Sequence, residues 1–70
     1  MRGYTTNVTS REKEILRYVA QGLSTKSIAK KLCLSQQTVK NHISNAIIKL
    51  NCNNRTQAVA KGIRQGWIAV

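Results

Sequence analysis

Leu34-Ser35-Gln36-Gln37-Thr38-Val39-Lys40-Asn41-His42-Ile43-Ser44-Asn45 carries the pattern that decides the fold. Ser35 is placed to cap a helix that opens at Gln36, its hydroxyl accepting from first-turn N–H groups. At about 100° per residue, Val39, Ile43, Ala46, Ile47 and Leu50 fall on one apolar side. Gln37, Lys40, Asn41, Ser44 and Asn45 lie opposite or along the flanks. That outward side holds amides, a hydroxyl and a cation, and no acid. Such groups hydrogen-bond base edges and phosphates, and a helix with a dry back and this front is what a DNA major groove admits.

Immediately upstream, Ser24 can cap a short helix over about residues 25–32, with Ile28, Ala29 and Leu32 inward. Lys26, Lys30 and Lys31 project from it. Cys33-Leu34 is a tight turn into the helix at about 36–50. Two helices joined by a turn of about three residues, the second longer, make a helix-turn-helix.

Further out, Thr9-Ser10-Arg11-Glu12 is a capping box. Glu12 and Glu14 also favour the positive end of the helix dipole. Ile15, Leu16, Val19 and Ala20 form an apolar stripe, and Gly22 offers a left-handed stop, so a helix is predicted at about 10–21. Downstream, Asn51 suits a left-handed cap after Leu50. Asn53-Asn54 is a loop with an available N-cap, and the last helix runs from Arg55 or Thr56 to Gln65. Ala58, Val59 and Ile63 are its apolar residues. Gly66 ends it, and Trp67-Ile68 can fold back on the core. The expected fold is all-α: a four-helix bundle containing a helix-turn-helix, with helices at about 10–21, 25–32, 36–50 and 55–65. Residues 1–7 read as a flexible arm or the remnant of a linker.

Seventy residues make one domain with a modest core. The hydrophobic share of 41% suits a small globule. No apolar run approaches the ~20 residues that span a bilayer. Met1 to Asn7 lacks the apolar stretch of a signal peptide. A cytoplasmic location, at the nucleoid when bound to DNA, is therefore expected, with no membrane partner. The net charge is +10, and its distribution is sharper than its size. Glu12 and Glu14 are the only acids; from Ile15 to Val70 there are nine Lys or Arg residues and none. Such a surface attracts polyanions.

Cys33, Cys52 and His42 are too few and wrongly spaced for a structural zinc site. Buried free thiols in a reducing compartment are expected instead. Paired carboxylates, a nucleophile–histidine pairing and a Gly-rich phosphate loop are all missing from the pattern. No catalytic residue, metal ligand or cofactor is expected, and the chain does not read as an enzyme.

The base-edge candidates are Lys40, Asn41 and Ser44, with Gln37 reaching a base or a phosphate. Lys can donate to guanine O6 and N7, and Asn can pair with adenine N6 and N7. Phosphate candidates are Thr25 and Lys26 at the start of the second helix, and Thr38, Asn45 and Lys49 along the third. His42, at the edge between the faces, could donate to a phosphate or pack as a neutral imidazole. Thr56, Val59, Gly62 and Ile63 fall near one side of the last helix. They either form a two-fold dimer that reads two half-sites, the glycine allowing close approach, or complete the monomer core.

Together these residues resemble the LuxR/GerE-type DNA-binding domain, also called the FixJ/NarL effector domain. The likeness covers about residues 8–69. It runs through Val8-Thr9-Ser10-Arg11-Glu12-Lys13-Glu14-Ile15-Leu16, Gly22-Leu23-Ser24-Thr25-Lys26-Ser27-Ile28-Ala29, Leu34-Ser35, Thr38-Val39-Lys40-Asn41-His42-Ile43, Lys49-Leu50 and Asn54-Arg55-Thr56-Gln57-Ala58. The resemblance implies a bacterial transcription-regulator domain over 8–70, free-standing or the effector domain of a larger response regulator. It also implies dimeric binding to inverted-repeat promoter DNA through the last helix, base reading by Lys40, Asn41 and Ser44, and RNA polymerase as a further partner. Three positions depart from the family pattern. Asn51 replaces a usual Gly, Cys52 an aliphatic residue, and Gly62 a common Ala, at about 1 kcal/mol of helix propensity. Two rivals remain: a non-specific, charge-driven architectural protein, and a protein-interaction module using the last helix alone.

Overall fold

The computed structural model describes residues 8–69, and the arm expected over residues 1–7 lies outside them. Four helices follow in order: α1 (Ser10–Ala20), α2 (Thr25–Leu32), α3 (Gln36–Lys49) and α4 (Arg55–Gln65). No strand occurs among the described residues. Helix ends fall within a residue of the sequence-based bounds, and the physical reason is the caps. The Thr9 hydroxyl accepts from Glu12 N–H at 3.0 Å, and the Glu12 carboxylate accepts from Thr9 N–H at 2.9 Å. Ser24, Ser35 and Asn54 cap α2, α3 and α4 through their side-chain oxygens. At the other ends, Gly22, Asn51 and Gly66 take the left-handed conformation that turns the chain away.

The core has two halves, and α3 spans both. Ile15, Ile28, Ala29, Val39 and Ile43 join α1, α2 and the first half of α3. Val8, Leu16, Ala46, Leu50, Ala58 and Ile68 join α1, the second half of α3, α4 and the returning C-terminal segment. Ile47 packs against both. α3 is thus gripped along its whole apolar side, which leaves its polar side rigidly presented. Ala20, expected on the apolar stripe of α1, is exposed at the last position of the helix.

The cysteine expectation fails in part. Both thiols are free, but Cys33 is exposed. It is the left-handed C-cap of α2 (φ 58°), with Leu34 N–H donating to Ala29 O at 2.8 Å. That backbone sends Leu32 and Leu34 against the core and Cys33 to solvent. Cys52 is half-buried and lies 3.5 Å from Leu50 O.

Gly62 is not on the outer side of α4. It is buried, and a Cβ there would sit 2.6 Å from Ile68 Cδ1 and 3.8 Å from Trp67 Cε3. The missing side chain makes the notch into which Ile68 folds back. Arg17 Nε donates to Trp67 O at 2.7 Å and the Lys13 ammonium lies 4.7 Å from the Trp67 ring, so α1 holds the same segment. Gly62→Val is expected to expel Ile68, at a cost of about 2 kcal/mol for a large side chain returned to water. A lower urea midpoint with red-shifted Trp67 emission would show it. Unchanged stability with weakened self-association would place Gly62 at an interface instead.

Candidate nucleic-acid interface

Ser35 does more than start α3. Its hydroxyl accepts from Thr38 N–H at 3.0 Å and donates to the Thr38 hydroxyl at 2.9 Å. The first turn of α3 is therefore fixed by two contacts. Val39, Ile43 and Ala46 then point inward and are buried. Gln37, Lys40, Asn41, Ser44 and Asn45 are all exposed. The sequence-based base-edge set thus lies together on one face. Gln37 Nε2 donates to Asn41 Oδ1 at 3.0 Å, one helical turn away. That contact leaves the Asn41 NH₂ free to donate and its oxygen with a second lone pair, the combination an adenine edge requires.

The flanking candidates divide. Lys26 is exposed beside the α2 N-terminus, Thr25 and Thr38 are half-buried at their helix starts, and Asn45 is exposed. His42 is half-buried at the boundary, as its place in the pattern suggests. Lys49 behaves differently. Its ammonium donates to Glu12 Oε1 at 3.0 Å and to Oε2 at 3.2 Å. Glu12 is only 3% exposed, while 30% of the Lys49 side chain remains so. Lys49 therefore neutralises the one buried charge among the described residues and ties the end of α3 to the start of α1. Lys61 plays a parallel part, donating to Leu50 O at 2.7 Å beyond the C-terminus of α3.

One residue of this surface escapes the sequence pattern. Arg55 opens α4, is exposed, and lines a groove with Asn54, Lys40, Ile43, Ser44 and Ile47. The groove opens beside two base-edge candidates and carries two cations and no acid. Arg55 stands ten or more residues past the outer face of α3 in sequence, so only the tertiary fold reveals the proximity. On α4 itself, Val59 is half-buried and Thr56 and Ile63 are exposed, Ile63 at 37%. Val59 and Thr56 also line a groove with Val19, Gly22, Leu23 and Arg55. Among the described residues, no helix is long and apolar enough to cross a membrane.

The capped helix pair and its acid-free outer face agree with the comparisons to known proteins. The family model described as "Bacterial regulatory proteins, luxR family" matches residues 6–61. The transcriptional regulatory protein DegU of Brevibacillus brevis is 46% identical over 63 residues, which is 90% of this chain and 27% of DegU. The spore germination protein GerE of Bacillus subtilis is 46% identical over 59 residues, 84% of this chain and 80% of GerE. A solved structure of the transcription factor GerE superposes with a TM-score of 0.86 at 40% identity, covering 97% of both chains. The chain thus spans about a quarter of DegU and most of GerE. These matches concern transcription regulators rather than any enzyme class. The chain belongs to the luxR family of bacterial regulatory proteins and carries that family's DNA-binding helix-turn-helix domain.

Proposed function

We propose that residues 8–70 form a sequence-specific reader of promoter DNA, with α3 entering the major groove and residues 1–7 serving as an arm or linker. The observation that carries this reading is the rigidly backed outer face of α3, exposed and free of acid. Lys40, Asn41 and Ser44 are assigned to base edges, with Gln37 orienting Asn41. Thr25, Lys26, Thr38, His42 and Asn45 are assigned to phosphates, and Arg55 joins them from across the groove. Lys49 is assigned to the fold. Two copies would pair through the outer flank of α4, using Thr56, Val59 and Ile63 without Gly62, and would read an inverted repeat. Action in the cytoplasm at the nucleoid, and contact with RNA polymerase, belong to the same proposal and rest on the family alone.

The test separates charge from reading. Lys26→Ala is expected to weaken every duplex by a similar factor and to reduce the slope of log K against log salt by about one. Anisotropy titrations on specific and scrambled duplexes over a salt series measure both quantities. A slope that falls while discrimination collapses would move Lys26 to a base edge. Equal affinity of the parent protein for all duplexes would favour the charge-driven architectural reading.

A further inference from the structure

Ile48 is the most exposed large hydrophobic residue among those described, at 74%, although the domain has a well-formed core two residues away at Ala46 and Leu50. A single exposed aliphatic residue on a protein surface is ordinary. The position of this one is not. Ile48 lies seven residues after Asn41 and four after Ser44 on α3, so it stands within about 20° and 40° of them around the helix axis. Gln37, eleven residues back, shares the same strip within about 20°. Ile48 is thus the apolar member of a row that otherwise carries only amides and a hydroxyl, and that row is the face proposed to read DNA.

We infer that Ile48 is a specificity residue that packs on the C5-methyl group of a thymine in each half-site. The chemistry leaves few alternatives within a major groove. Its edges present hydrogen-bond donors and acceptors for all four base pairs, and the thymine methyl is the apolar group among them. An isoleucine has nothing to offer a donor or an acceptor, and it gains by excluding water from a methyl. Seven residues at about 1.5 Å each separate Ile48 from Asn41 by about 10 Å along α3, so the methyl read by Ile48 belongs to a different base from the one read by Asn41. Lys49, next in sequence, turns instead to Glu12.

This inference rests on the reading of α3 as the base-reading helix, and the experiment keeps the two apart. The intact chain is titrated with its selected duplex, then with duplexes in which each thymine in turn is replaced by deoxyuridine, which removes the methyl alone. The series is repeated with Ile48→Ala, Ile48→Val and Asn41→Ala, after circular dichroism has shown that each variant retains its helices. One thymine per half-site is expected to lose about fourfold in affinity when its methyl is removed, the worth of one buried methyl group. That sensitivity should vanish in Ile48→Ala, persist in Ile48→Val and persist in Asn41→Ala. A preferred sequence without any Ile48-dependent methyl position would overturn the assignment of Ile48 and leave the base-reading helix standing. Weakened self-association of Ile48→Ala with unaltered methyl dependence would give Ile48 to a contact between copies and overturn it equally. Absence of any preferred sequence in the parent chain would overturn both.

Discussion

Lys49→Ala is expected to cost the domain about 3 kcal/mol of stability, the low end of the range for stranding one partner of a buried ion pair. The reasoning starts from burial. Glu12 is 3% exposed and Lys49 about ten times more so. Removing the ammonium leaves a carboxylate with Thr9 N–H as its remaining partner, 2.9 Å away, in a place water barely reaches. The converse change, Glu12→Gln, is expected to cost less, about 1–2 kcal/mol. The amide oxygen can keep the cap, and the partly exposed Lys49 can rehydrate. A 70-residue domain commonly holds about 4–10 kcal/mol in all, so the first variant would approach the edge of folding at warm temperatures. Urea unfolding of both variants measures the asymmetry. If Lys49→Ala unfolds at the parental midpoint but loses one unit of salt slope on DNA, Lys49 serves a phosphate and its role in the fold is wrong.

Asn41→Ala should have the largest effect on recognition. A bidentate contact to adenine is worth about 1–3 kcal/mol of discrimination, a factor of about 5 to 150. The loss should fall on the preferred sequence alone, because a base contact adds nothing to the attraction between cations and phosphates. The salt slope should stay within error of the parent. Gln37→Ala should shift discrimination in the same direction by less, since Gln37 holds Asn41 through a single 3.0 Å contact. Competition titrations with single-base variants of the selected duplex read this directly. Uniform weakening across all sequences would remove Asn41 from the base edges.

The elements legible in the sequence are those specified by neighbours. Thr9, Ser24, Ser35 and Asn54 each bond an N–H three residues on, and such contacts follow from residue type and spacing. Asn51 and Gly66 mark helix ends because few other residues tolerate a positive φ. Cys33 adopts the same conformation without belonging to that group, so its exposure was not legible. The contacts that reassign residues are long-range. Lys49 reaches Glu12 across 37 residues, and Arg17 reaches Trp67 across 50. Periodicity places Lys49 on a flank of α3 but is silent on what lies over that flank. Gly62 follows the same rule. Its place on the helical wheel is fixed by sequence, and its role is fixed by Ile68 folding back onto it. The exposure of Gln37, Lys40, Asn41, Ser44 and Asn45 on the outer side of α3 was legible because the helical period alone describes it. Arg55 was not, because its proximity to Lys40 depends on how α4 packs beside α3.

The most direct test of the central claim, that the outer face of α3 reads sequence, is selection by this chain from a random pool of duplex DNA at near-physiological salt, followed by sequencing. The account predicts an enriched inverted repeat, with Asn41→Ala losing preference at one position in each half-site. Salt-sensitive binding with no enriched sequence, or the same enriched sequence from Asn41→Ala as from the parent, would contradict it.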